Sequence, residues 1–150
     1  MIVARAESLD VADVLRRREL VVAVATGEIN AAALFSDWLV VTPEARLTIG
    51  RDATTIAALV WRLGPAAYRS YLLDALNVAD AVADAVVSNA ADVDRWLGRR
   101  STLALDSAAA LIRRRGGDPL ERAEFARLFA TGEPQEGLAA FLEKRAARFR

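Results

Sequence analysis

The side chains that most often run acid–base and nucleophilic chemistry are missing from this chain, which has neither histidine nor cysteine among its 150 residues. That excludes Ser-His-Asp and Cys-His triads, thiolate nucleophiles, zinc ribbons and disulfide frameworks, and it leaves only carboxylates, which favour hard ions, as metal ligands. Proton transfer, if there is any, must use Asp, Glu, Lys or Tyr. Two arginine triplets, Arg16 to Arg18 and Arg113 to Arg115, have the charge to hold an anion, but each closes a helical pattern and reads as a solvated helix end. The chain finishes on "GEPQEGLAAFLEKRAARFR", an amphipathic segment with an aromatic flanked by arginines where a polar tail would be ordinary. Trp38, Trp61 and Trp96 fall in three different segments and read as core fillers before ligand-stacking platforms.

The elements that must carry these residues follow from periodicity. "MIVARA" is compatible with a short strand, and "SLDVADVLRRR" with a helix capped by Ser8 or Asp10. "ELVVAVATGE" is a compact β-branched run ended by Gly27, the pattern of a buried strand; "NAAALFSDW" reads as helix; "WLVVTPEARLTIG" reads as strand, turn and second short strand. Beyond Gly50 helix dominates. "DATTIAALVWRL" stops at Gly64-Pro65, "AAYRSYLLDAL" resumes, and a strand is expected at Val86-Val87. "STLALDSAAALIRRR" is halted by Gly116-Gly117, after which Asp118, Pro119 and Glu121 supply an N-cap, a first-turn proline and a capping-box glutamate; the last helix is expected to begin near Thr131.

Lys plus Arg equals Asp plus Glu at 20 each, so no global field attracts nucleic acid or anionic lipid. No run is long and apolar enough to span a bilayer, and the start lacks a basic-then-apolar leader, so a cytoplasmic location is the expectation. At this length a single domain can bury roughly 70% of its unfolded surface.

One stretch carries a family resemblance. "FARLFATGEPQEGLAAFLEKRAARF" resembles the C-terminal signature of the crotonase superfamily, the enoyl-CoA hydratases and isomerases, with Glu136, Gly137, Ala140, Phe141, Glu143, Lys144, Arg145 and Phe149 at the family's spacing. Upstream, "ELVVAVATGE" looks like the family's "PVIAAVNG" strand, and "SDWLVVTPEARLTIG" is similar to its strand pair through Asp37, Glu44, Ala45 and Leu47; "WRLGPAAYRSYLL", "ADAVADAVV" and "STLALDSAAALI" follow in the family's order. The resemblance covers about residues 19–150.

It implies a truncated crotonase-like α/β fold with a small, mostly parallel sheet of three to five short strands covered on one side by helices. It also implies a single domain over 1–150, with an αβ part to about residue 95 and a helical, trimerisation-type part from about 96 to 150. Family catalysis rests on two backbone amides aimed at a developing enolate oxygen. The resemblance begins after the segment that houses the first amide, and where glycines are expected for the second this chain reads "EINAAALFS". Ala31 and Arg51 stand near the positions of the family's two catalytic glutamates, with Asp52 as a displaced candidate acid and Glu28 and Asp37 as alternatives. By the same resemblance Phe141 and Lys144 are candidate CoA-binding residues, contacting the adenine and the 3′-phosphate; read from spacing alone, Phe141 is equally a core residue and Lys144 a surface charge.

The resulting expectation is a crotonase-like protein of acyl-CoA metabolism without autonomous hydratase activity, acting in a homo-oligomer (a trimer or dimer of trimers) or beside a complementary crotonase-type subunit. A CoA thioester is the ligand, with no other cofactor, metal, nucleic acid or membrane partner. A stand-alone shortened hydratase or isomerase and a non-catalytic helical interaction module are the alternatives.

Overall fold

A computed structural model describes residues 1–47, 52–72, 82–114 and 117–149. Among these residues four strands, β1 (Ile2–Arg5), β2 (Val21–Ala25), β3 (Trp38–Val41) and β4 (Ala85–Val86), lie side by side in chain order, each parallel to the next. Parallel neighbours need a crossover. Among the described residues these are supplied by a short 3-10 turn (Ala6–Ser8) with α1 (Val11–Arg16), by α2 (Ala31–Leu34), and by α3 (Ala53–Leu72). Among the described residues four further helices follow β4: α4 (Asp92–Gly98), α5 (Thr102–Arg113), α6 (Asp118–Phe129) and α7 (Glu133–Leu142). The chain divides into two compact units, Met1–Val93 and Asp94–Arg150. Among the described residues no helix is long and apolar enough to cross a membrane.

In the first unit, β2 is buried at all five positions, as an uninterrupted apolar run in a parallel sheet should be. Ala23, Ala25, Leu39 and Val41 share one face and pack with Ala33, Leu34, Ala58 and Leu59 of α2 and α3. Alanine on both surfaces lets the helices approach the sheet closely. Val22 and Val40, on the opposite face, are just as buried, so the central strands are enclosed on both faces. β4 sits one residue earlier than the Val86-Val87 expected from its apolar pattern.

Caps decide the helix ends. Asp10, not Ser8, caps α1, its carboxylate accepting from the amides of Ala12 (2.9 Å) and Asp13 (3.1 Å). Gly64 (φ +78) breaks α3 in a conformation that glycine adopts without penalty. The expected capping box of α6 is displaced: Gly117 is the N-cap, its carbonyl accepting from Leu120 and Glu121, so Asp118 becomes the first helical residue and no side chain caps the helix. α7 starts at Glu133, after Gly132 and close to the expected Thr131. The second short strand after the Thr42 turn is reduced to one parallel bridge, Glu28 with Arg46; the residues that would extend it, 48–50, lie outside the described residues.

Candidate functional site

Two regions hold the residues singled out in the sequence, one in each unit. In the first, the loop after β2 is tied down on both sides. The Arg46 amide donates to the Gly27 carbonyl and the Ile29 amide to the Arg46 carbonyl, both at 2.8 Å. Asn30 caps α2 by accepting from the Ala33 amide (2.8 Å), while its own amide group donates to the Ala6 carbonyl (2.8 Å). One first-turn donor of α2 is therefore already satisfied from within, and Ala31 follows with no ionisable group to offer.

Glu28 and Asp37 do not converge. Glu28 is exposed just past the C-terminal end of β2. Asp37 exchanges hydrogen bonds with Val21 at the N-terminal ends of β2 and β3, its amide donating to the Val21 carbonyl (3.0 Å) and its carboxylate accepting from the Val21 amide (2.8 Å). A five-residue strand separates these two acids by roughly 17 Å along its axis. Asp52 caps α3, with one oxygen accepting from the Thr55 amide (2.9 Å) and the other from the Thr55 hydroxyl (2.7 Å). Those bonds, the amide's first, hold its carboxyl below the ordinary aspartate value, which makes it a weaker base. Arg51 lies outside the described residues.

A buried cluster in this unit has no counterpart in the sequence reading. Arg62 of α3 donates to the carbonyls of Val82 (2.5 Å), Leu34 (3.1 Å) and Ser36 (3.0 Å) and pairs with Asp84, whose carboxylate also accepts from the Leu39 amide (2.6 Å). Burial pulls the guanidinium pKa down, and Asp84 and then Asp37 oppose that pull. One side chain thus joins α3, the end of α2, the start of β3 and the approach to β4. The only sequence signal was a charge on an otherwise apolar helical stretch.

In the second unit the terminal segment separates into a part spent on internal contacts and a part left in solvent. Arg145 forms a two-pronged pair with Glu136 (2.6 and 3.0 Å), and the Arg148 amide donates to the same carboxylate (2.7 Å). Arg145, and then the Arg148 amide, hold the Glu136 carboxyl down at about 2, while the same pairing raises the guanidinium. The tail so returned lays Phe149 against Gly137, where an added Cβ would meet its ring at 3.9 Å. Glu136, Gly137, Arg145 and Phe149 are therefore an intramolecular clasp.

Phe141 is not a core residue. It is 79% exposed, beside exposed Leu138 and Leu142, and Lys144 is exposed one turn further on. The tryptophans stay on β3, α3 and α4, and the Trp96 ring is covered by the Arg100 guanidinium at 4.1 Å. Arg16 pairs with Asp13 at 3.3 Å; Arg113 and Arg114 close α5; Arg115 lies outside the described residues.

No protein-family model and no curated protein matches the chain. Solved structures do. An enoyl-CoA hydratase/carnithine racemase from Magnetospirillum magneticum aligns over 93% of this chain and 62% of its own, at 21% identity and a TM-score of 0.59. An enoyl-CoA hydratase from Polaromonas sp. JS666 aligns over 93% and 66%, at 22% identity and 0.60. Subunit I of an enoyl-CoA hydratase from Geobacillus kaustophilus HTA426 aligns over 85% and 62%, at 24% identity and 0.56. The resemblance read from the terminal motif holds at the level of the fold, which is crotonase-like, and the chain spans about three-fifths of the length of these structures.

Proposed function

We propose that this chain is a crotonase-like protein of acyl-CoA metabolism that binds the nucleotide end of a CoA thioester through Phe141 and Lys144, and that it works as one subunit of an assembly without a hydratase cycle of its own. The observation that carries this reading is the exposure of Phe141 and Lys144 on a segment whose other motif residues are held in internal contacts. An aromatic ring in water can cover a purine face, and an ammonium beside it can neutralise a phosphate. The crotonase-like fold, seen in structures described as enoyl-CoA hydratases, supports the choice of CoA over other nucleotides.

Two features support the lack of autonomous chemistry. Proton abstraction next to a thioester needs a carboxylate within hydrogen-bond reach of the α-carbon, yet Asp52 is engaged as a cap and Glu28 and Asp37 sit at opposite ends of the sheet. The α2 amide of Ala33 is occupied by Asn30 and is not available to a thioester oxygen. The partner is a second crotonase-type chain, its own or a complementary one, seated on exposed Leu138 and Leu142 beside the Phe141 ring.

Calorimetric titration of the chain with CoA and acetyl-CoA, followed by a crotonyl-CoA turnover assay, tests this. Binding that is lost in Phe141→Ala and Lys144→Ala, without turnover, is the expected result. Turnover abolished by Asp52→Ala would replace it with a stand-alone hydratase. Failure to bind either thiol or thioester, alone or in a complex, would leave an interaction module.

A further inference from the structure

We propose that Glu136 and Arg145 are positioning residues for Lys144, holding this lysine in a backbone conformation that lysine disfavours so that its ammonium is presented at the end of α7. The inference rests on the CoA reading above and adds the device that orients the cation.

α7 stops with two backbone bonds, the Arg145 amide to the Ala140 carbonyl (3.0 Å) and the Lys144 amide to the Phe141 carbonyl (3.3 Å). That pair of bonds is the motif in which the residue after the C-cap turns left-handed, a place glycine takes most readily. Here Lys144 takes it, at φ +53. The other described residues with positive φ, at 64 and 132, are glycines. Lys144 is also the only lysine in the chain, every other basic residue being arginine. A fully basic but fork-shaped side chain is the rule elsewhere in this protein, and the one compact point charge stands where its backbone is least comfortable.

A strained residue persists when its surroundings over-determine it. Those surroundings are specific. The residues flanking Lys144 pair with each other, Arg145 Nε donating to Glu143 at 2.5 Å, and the two terminal nitrogens of Arg145 grip Glu136 one helix length back. The Arg148 amide closes the return on the same carboxylate. With both neighbours held, the Lys144 backbone is fixed and its side chain is left to solvent. The class of ligand is a phosphate monoester attached to a planar ring: the ammonium meets the phosphate and Phe141, in the preceding turn, meets the ring.

Melting temperature and calorimetric titration with CoA and with adenosine 3′,5′-bisphosphate, on the full chain and its variants, test the device. Lys144→Gly should melt higher, by roughly 2–4 °C because the left-handed penalty is gone, and bind about tenfold more weakly. Lys144→Arg should stay within about threefold of the parent, since the charge remains. Glu136→Gln removes a negative charge, which by field alone would tighten an anion; a positioning role requires the opposite, weaker binding. Arg145→Lys, which keeps the charge and loses the fork, should weaken binding in the same direction and replaces Glu136→Gln if that variant does not fold. Parent-like or tighter binding by Glu136→Gln or by Arg145→Lys, or a lower melting temperature for Lys144→Gly, overturns the inference while leaving the CoA reading intact. An absence of binding by the parent chain sinks the CoA reading, and the inference with it.

Discussion

At the residue scale the decisive contrast is between Phe141 and Arg62. Spacing alone made Phe141 a credible core residue, and a buried phenylalanine cut to alanine costs about 3–5 kcal/mol. At 79% exposure the structure moves it to solvent. Phe141→Ala should change stability by no more than about 0.5 kcal/mol in chemical denaturation, as surface substitutions do, while removing CoA affinity. Arg62 is the reverse: a charged side chain that holds three carbonyls and Asp84 in the interior. Arg62→Leu should destabilise by roughly 3 kcal/mol or more, because it leaves a carboxylate and several carbonyls without their donor. Denaturant unfolding of the first unit's fluorescence signal, from Trp38 and Trp61, would read that loss.

At the element scale, β2 and β3 were legible because an uninterrupted apolar run reports burial directly, whatever lies around it. Leu39 is fully buried in β3, and Leu39→Ala should cost about 2–5 kcal/mol. α7 was legible as a helix, but not in its orientation. Which side faces outward is set by the clasp of Glu136 with Arg145, nine residues away, and by Phe149 against Gly137. The clasp also carries a pH signature. The Glu136 carboxyl lies at about 2, below the ordinary 4.5, so the unfolded chain takes up its proton first as the pH falls. Its contribution is full above about pH 5 and is lost as the pH drops from there toward 2. Melting temperatures of the parent chain should fall over that window, and Glu136→Gln should show a shallower fall.

At the scale of the whole molecule, the proposed assembly makes its own prediction. Leu138 is 61% exposed on the apolar face of α7. If a second crotonase-type chain covers that face, Leu138→Glu should lower the mass measured by light scattering without lowering the melting temperature of the separated subunit, since the substitution touches solvent and not core. A parent chain that is a monomer both alone and when mixed with a crotonase-type partner would remove the subunit reading. The likeness to enoyl-CoA hydratase structures, at 21–24% identity, bears on the fold and leaves the choice between subunit and enzyme to these measurements.

The inventory of possible chemistry, the buried strands, the helical second half and the terminal motif were legible along the chain, because they depend on residue type and on spacings within a few residues. Folding is what makes Arg62 internal, turns Asp37 and Asp52 into backbone acceptors, puts Gly117 in place of Asp118 as a cap, and divides the motif into an inward clasp and an outward pair. The difference is one of range. Apolar periodicity is written along the chain, whereas a polar side chain's role depends on the donor or acceptor that folding brings to it: for Arg62 the Leu34 carbonyl, 28 residues away, and for Glu136 the Arg148 amide, 12 residues away.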